Sequence, residues 1–535
     1  MKSVFLLLRQ VRLAGCCPPV YSRIAGAVAL AACAAWLAPT PAHGGLLDGL
    51  GLDSPIATQE KNFSCVPKPP PQRPAQFSSA EGVPPLPLPA TPLRRTEKKN
   101  PPRSPVLIAK IATASAADWA TNPGDIENLL RWTAENLDVH FSSINLPQDQ
   151  IPADPSEIPL LYRTGHDAFS FPPQVKEKLR RYLLQGGTLV FDACCGRRAF
   201  FESALREMKD LIPERPPYRL PADHPFLRSY FEIGQNIHYR EWAKQAGAVD
   251  GESGVIGIDI GCRTAVFLFR WDVSCGWDGL EDSKEHHCLG YTTETARRLG
   301  ANLMAYITAE HSVAMPLSKA LSFVDASSDK TGKFIMAQAK YGGAWKTRDS
   351  GLSMLLNIFH EQTKTPVRFQ LEELALDSPR LFEAPFLYLT GHADFVLTDP
   401  ERAGLRQYLQ RGGILFAEAC CGRDEFDRAF HRELKAALPT AEFHNLPATH
   451  PIFQYPNRID GVQPRPALAA KLNVAGAKLA PRLQGVSIDG HLAVIYSPDG
   501  LACGWELAEC PYCKGLVPQD CMQLGVNIMS YALMQ

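Results

Sequence analysis

Short apolar runs alternate with stretches of helical period from Val106 onwards, and the alternation is written twice. "VLIAKIA" from Val106 and "FIMAQAK" from Phe334 read as first strands, each a few apolar residues between polar boundaries. "GDIENLLRWTAENL" from Gly124 and "GLSMLLNIFHEQ" from Gly351 follow as helices, and "VHFSSI" and "VRFQLE" as second strands. Next come a strand ending in Gly-His, a helix ending in Gly-Gly, and a strand running into Cys-Cys-Gly ("TLVFDACCG", "ILFAEACCG"). A hairpin-like stretch (Val255 to Trp271; Gly485 to Tyr496) and a last helix close each copy. Trp119 pairs with Trp345, His166 with His392, Cys194 with Cys420 and His224 with His450 at one constant offset. A duplication of this length means two domains rather than a short-period solenoid. They are placed at 105–326 and 333–535, with the polar stretch Ser327 to Gly332 marking the boundary. The pattern predicts an α/β fold: in each copy a doubly wound, flavodoxin-like parallel sheet with helices on both faces, making three layers. In such sheets ligands gather at the C-terminal ends of the strands.

The first 104 residues lack this pattern. Arg9, Arg12 and Arg23 precede an apolar run, Ile24 to Ala38, and "PTPAHG" follows. A basic region, an apolar core of about 15 residues and a small-residue exit match a secretory signal cleaved after Ala42. The run falls short of the ~20 residues a spanning helix needs. Two other readings stay open: "LAAC" resembles a lipobox that would acylate Cys33, and the segment could remain as an uncleaved anchor. Residues 1–43 are therefore expected to be a signal peptide or membrane anchor, and the protein to be exported to the periplasm or cell envelope, soluble or membrane-anchored. From 44 to 104 proline recurs without periodicity, which predicts a disordered linker.

Composition narrows the function classes. Of 535 residues, 45% are hydrophobic and 21% charged, and 55 Lys+Arg against 56 Asp+Glu leave a formal charge of -1, so no bulk field favours nucleic acid. Fifteen cysteines are too sparse for a disulfide scaffold in a chain this long. No P-loop, strand-linked G-x-G-x-x-G, G-x-S-x-G or H-E-x-x-H is present, so no cofactor is expected.

The motifs "YLTGH", "YL…GG…CCG", "HP", "CGW" and the closing "LG.N…Y" together resemble the bacterial domain-of-unknown-function family 4159, over Val106 to Glu310 and Phe334 to Gln535. The resemblance implies a Rossmann-like domain similar to the class I glutamine-amidotransferase-like fold, in envelope-associated proteins, with no established reaction.

Mapped onto such sheets, Gly165-His166 and Gly391-His392 lie past one strand. Asp192, Cys194, Cys195, Gly196 and Arg197, matched by Glu418, Cys420, Cys421, Gly422 and Arg423, lie past a later one. His224 and His450, each before a proline, are candidates to fold over the same crevice. One reading makes Cys194 and Cys420 nucleophiles, with His166 or His224 as base, His392 being the counterpart of His166, and the backbone near Gly165 and Gly391 as oxyanion hole. It resembles amidotransferase chemistry but lacks that family's late His-x-Glu pair, and exported thiols tend to be oxidised. A second reading makes the glycines turn residues, the cysteines buried packing groups and the histidines caps, with the crevice binding a ligand. A third reading is redox or metal binding. It pairs Cys275 with Cys288 and Cys503 with Cys510 as disulfides, or gathers "CPYC" (Cys510 to Cys513) with Cys503 and Cys521 around zinc. The expectation adopted is no metal, and a non-enzymatic module binding an envelope protein or small ligand, with membrane association only through the N-terminus. The alternative is a Cys-dependent hydrolase. "CGW" and the pairs Tyr182/Tyr408 and Phe200/Phe426 are expected to be core.

Overall fold

The computed structural model describes residues 105–535 apart from 114–116, 281–286, 318–322, 324, 326–329, 349, 475 and 509. The signal or anchor segment with Cys33, the Pro-rich linker and part of the inter-copy boundary lie outside the described residues.

Each copy forms one seven-stranded sheet. In the first, β1 (Val106–Ala112), β2 (Ser142–Pro147), β3 (Leu160–Gly165), β4 (Thr188–Ala193), β5 (Tyr218–Arg219), β6 (Val255–Ile260) and β7 (Arg263–Phe269) run in the order β2-β1-β3-β4-β7-β6-β5. The first five are parallel, and β6 and β5 are added antiparallel. The second copy repeats this order with β8 (Met336–Lys340), β9 (Glu372–Ala375), β10 (Phe386–Gly391), β11 (Ile414–Ala419), β12 (His444–Asn445), β13 (Gln484–Ile488) and β14 (His491–Ser497). The central strands β3, β4, β10 and β11 are buried at every position, as strands covered by helices on both faces must be. The expected doubly wound sheets are therefore present. The edge strands shift: β9 starts at Glu372 rather than Val367, which makes only a single bridge to Phe334. An edge strand takes its register from its one neighbour, so its own apolar residues specify it weakly.

The helices before the Cys-Cys-Gly strands show how local sequence sets this geometry. Residues Pro173–Leu184 bury Val175, Leu179, Tyr182 and Leu183, one stripe of the helix. Asp399–Gln410 starts with a reciprocal cap between Thr398 and Glu401 and buries Leu405, Tyr408 and Leu409. The Gly-Gly that ends each helix has two roles. Gly186 and Gly412 take positive φ (106° and 91°) to stop the helix, while a side chain at Gly187 or Gly413 would strike the Tyr182 or Tyr408 ring. These tyrosines and Phe200 and Phe426 are core, as expected. Leu179→Ala would remove a fully buried side chain at a cost of about 2–5 kcal/mol.

Both copies belong to one compact unit. The tip of the first copy's β6–β7 hairpin reaches the second copy, where Asp259 meets His392 and Cys262 meets Cys503. Arg215 donates to the Lys346 carbonyl, and Tyr306 stacks on Tyr512 with ring centroids 5.8 Å apart. The corresponding hairpin tip of the second copy, Asp489–His491, is exposed.

Candidate functional site

Parallel pairing of β3 with β4, and of β10 with β11, sets Gly165 opposite Ala193 and Gly391 opposite Ala419. The Gly-His and Cys-Cys-Gly segments thus leave the sheet side by side in each copy. Cys194–Gly196 and Cys420–Gly422 each make one tight turn before the helices Arg198–Leu211 and Asp424–Ala437. The second cysteine, not the first, bears the unusual backbone: Cys195 sits at φ 52°, ψ 19° and Cys421 at φ 55°, ψ 17°. Left-handed conformation in a non-glycine residue costs about 1–3 kcal/mol and persists only where surroundings enforce it. The glycines that follow also have positive φ, and a Cβ there would strike the carbonyl of Leu289 or Lys514. Cys194 and Cys420 have no exposed surface, and burial pushes both thiols up, away from thiolate.

The carboxylates beneath the turn brace the "CGW" segment. Asp192 accepts from the Val273 amide at 3.1 Å and from the Tyr162 and Thr164 hydroxyls, each at 3.2 Å. Glu418 accepts from the Leu501 amide at 2.5 Å, the Ala502 amide at 3.1 Å and the Tyr388 hydroxyl at 2.7 Å. The Asp-to-Glu exchange between copies has a local cause. The first copy has a second carboxylate, Asp272, which accepts from the Cys275 amide at 2.7 Å and from the Cys195 amide. The second copy has Gly500 at that position, and the longer Glu418 accepts from both the Leu501 and Ala502 amides there. Burial raises the Asp192 carboxyl to about 8 and that of Glu418 to about 7. Trp277 and Trp505 are buried and donate to the Ala296 and Cys521 carbonyls at 2.8 and 2.9 Å, which makes "CGW" architectural.

The histidines divide. His224 and His450 cap short helical turns, their Nδ1 atoms accepting from the Phe226 and Ile452 amides at 3.2 Å. His224 also meets Thr264 Oγ1 at 3.0 Å, and burial holds it well below the usual imidazole range. His166 is half-buried. Its backbone amide donates to Asp118 at 2.7 Å, so that N–H is already engaged and does not serve as an oxyanion donor. His392, fully buried, is brought to the turn: a ring nitrogen and the Cys420 and Cys421 sulfurs lie within 4.8 Å of one another. Its Nδ1 is 2.7 Å from Asp259 of the first copy. Burial works against its charge, but that hydrogen bond prevails and pushes it up to about 9. Arg423 is buried facing Asp259 and Cys421, whereas Arg197 is half-buried.

Around Cys421 the structure gathers a buried set of sulfurs. Cys262, Cys420, Cys421, Cys503, Cys510 and Cys513 form one cluster. Cys421 lies 3.3 Å from Cys503 and 4.0 Å from Cys420, and Cys503 lies 3.6 Å from Cys262. The Arg348 guanidinium reaches in, contacting Cys262, Cys503 at 2.6 Å and Cys421 at 3.8 Å, and is held from behind by Glu506 at 2.8 Å. Hydrogen bonding from Cys262 first, then from neighbouring thiols, draws Cys421 and Cys503 well below the ordinary thiol range. The pairings Cys275–Cys288 and Cys503–Cys510 are not formed among the described residues. The alignment changes too. Asp272 bonds to the Leu289 carbonyl and Gly500 to that of Lys514, so Cys288 corresponds to Cys513 rather than Cys510. Cys521, expected beside the CPYC pair, bonds instead to the Leu516 carbonyl in the apolar core.

The sequence matches the domain of unknown function DUF4159 twice, over residues 107–308 and 335–533. The chain belongs to the DUF4159 family. No curated protein matches it. One solved structure with partial similarity is described as a "putative phosphosugar isomerase" from Silicibacter pomeroyi DSS-3. It shares 11% identity over 58% of this chain and 75% of that one, with a TM-score of 0.14, too loose to carry an argument. Within this tandem DUF4159 chain, sequence reasoning missed Asp259, Cys262 and Arg348 as members of the second copy's centre. One signal was available. Cys262 sits in a hairpin turn whose counterpart reads Asp489-Gly490, so it is a cysteine the duplication does not explain.

Proposed function

We propose that the chain is a non-enzymatic binding module of the cell envelope, in which two DUF4159 copies act as one body and take an envelope protein or small ligand. The observation that carries this reading is the state of the Cys-Cys-Gly turn. Its first thiols are buried and protonated, its carboxylates cap a structural turn, and in the second copy another domain's hairpin covers it. Export rests on the basic-then-apolar segment of residues 9–38, which is also the proposed route to membrane association.

A second reading is favoured by one arrangement. Asp259, His392 and Cys421 stand in line, the order of acid, base and nucleophile in a cysteine hydrolase. p-Nitrophenyl acetate, a generic activated ester, separates the two. The binding reading expects no stoichiometric burst of p-nitrophenol from the full chain. A burst that disappears in Cys194→Ala, Cys420→Ala or Cys421→Ala would establish the hydrolase. Fusion of residues 1–43 to alkaline phosphatase tests export, with phosphatase activity expected only if that segment directs translocation.

A further inference from the structure

We propose that the second copy holds one zinc-class divalent ion, bound by Cys262, Cys421 and Cys503 with a fourth thiolate from Cys510-Pro-Tyr-Cys513. The ion staples the first copy's hairpin to the second copy.

The sulfur spacing carries the argument. Zinc–thiolate bonds of about 2.3 Å in tetrahedral geometry put neighbouring sulfurs ~3.8 Å apart. The separations here are 3.3 Å for Cys421–Cys503 and 3.6 Å for Cys262–Cys503. Cys262, Cys421 and Cys510 lie within 4.8 Å of one another, as do Cys421, Cys503 and Cys513, so Cys421 belongs to both triads. These contacts are far longer than the ~2.05 Å of a disulfide. They are also tighter than the spread of thiolates around a core of several irons and sulfides.

Ordinary burial of cysteine as a small apolar residue does not account for the company. Six sulfurs arrive from the β6–β7 turn, the Cys-Cys-Gly turn, the "CGW" turn and the CPYC loop, and a guanidinium is buried among them. An apolar cluster gains nothing from a buried cation, whereas thiolates do, and metal-bound sulfurs characteristically receive such an outer donor. Arg348 has that position, fixed by Glu506. On binding, four thiols lose their protons to solvent and the ion gains four sulfur bonds. Two negative charges remain in excess on the thiolates, and the guanidinium of the Arg348–Glu506 pair faces them. Four protein ligands leave no open position, so the site is structural rather than catalytic. Among the described residues of the first copy a different set, Cys194, Cys195, Asp272 and Cys275, gathers at the matching turn. Cys195 is disulfide-bonded, Cys288 has no CPYC partner, and the second copy's hairpin tip carries no cysteine.

The assignment does not depend on the non-enzymatic reading, because its failure appears in metal content and not in ester turnover. The test is elemental analysis of the purified full chain, then replacement by cobalt(II) after chelation. One zinc per chain is expected, with thiolate-to-cobalt charge-transfer bands and visible bands of a tetrahedral site. Cys262→Ser should weaken zinc binding by at least 10- to 100-fold, about the range even outer-donor changes produce. Cys510→Ser with Cys513→Ser should abolish binding, and Cys521→Ser should leave it intact. Should a ligand variant fail to fold, Arg348→Gln, expected to weaken affinity by about 10- to 100-fold, tests the same centre. The proposal is overturned if wild-type protein takes up neither zinc nor cobalt. It is equally overturned if these cysteines map to disulfides, or if the serine variants bind as wild type does.

Discussion

Replacing Glu418 by Gln tests whether the carboxyl under the second turn is the buried brace described above. Its pKa rises from 4.5 to about 7, chiefly because burial disfavours the charged form. At about 1.4 kcal/mol per tenfold change in proton affinity, a rise from 4.5 to about 7 corresponds to about 3 kcal/mol. The sign follows from proton binding. The folded state holds the proton to higher pH than the unfolded state, so this contribution is complete below about pH 4.5 and is lost as pH rises through about 7. Gln has no such titration. It also presents one acceptor oxygen to the Leu501 and Ala502 amides and the Tyr388 hydroxyl, which costs about 1–3 kcal/mol for a donor left unpaired. The variant should therefore be the less stable protein at pH 5, and the difference should shrink by about 3 kcal/mol, or reverse, by pH 9. Urea unfolding of both full chains at pH 5, 7 and 9, followed by tryptophan fluorescence at constant ionic strength, measures this. Asp192 is unchanged in both proteins and cancels. Parallel pH profiles would refute the reasoning, since they would mean that Glu418 does not carry its proton into the neutral range.

Two further outcomes follow from the same geometry. Gly422→Ala combines a φ of 61° with a clash against the Lys514 carbonyl and should cost more than the ~1–2 kcal/mol of left-handed strain alone, whereas Gly412→Ala, with open space around it, should cost only that strain; urea midpoints compare them. Asp259→Asn removes the partner of His392 and should destabilise the protein by roughly 3–5 kcal/mol, as breaking a buried pair does. His392, raised to about 9, contributes stability that is complete below the ordinary imidazole pKa of 6.5 and lost as pH rises through about 9, so the two proteins should converge in alkali; an unchanged His392 titration by NMR would contradict this.

Much of the architecture was legible because it is written in local pattern. The all-buried strands, the Gly-Gly helix stop and the repeated "CGW" each follow from neighbours close in sequence, and the duplication supplied a check on every one. His224 and His450 were expected to fold over the crevice, with capping as the competing reading; in the structure each caps a short helical turn through its Nδ1. The second copy's centre was not legible. Asp259 and Cys262 belong to a hairpin of the first domain, and only the packing of one copy on the other brings them to His392 and Cys421. Arg348 lies in a loop before a helix, where a lone arginine reads as solvated. Even the choice between Cys420 and Cys421 needed backbone angles, since both cysteines are repeated but only the second is left-handed.

The central claim is that the first cysteine of each turn is a buried, protonated packing group rather than a nucleophile. Iodoacetamide labelling of the folded full chain across pH, with each site assigned by mass spectrometry, tests it most directly. Cys194 and Cys420 should stay unlabelled through pH 8 and react only once the protein is unfolded. Rapid labelling of either in the native state, well below the ordinary thiol pKa of about 8.5, would contradict it.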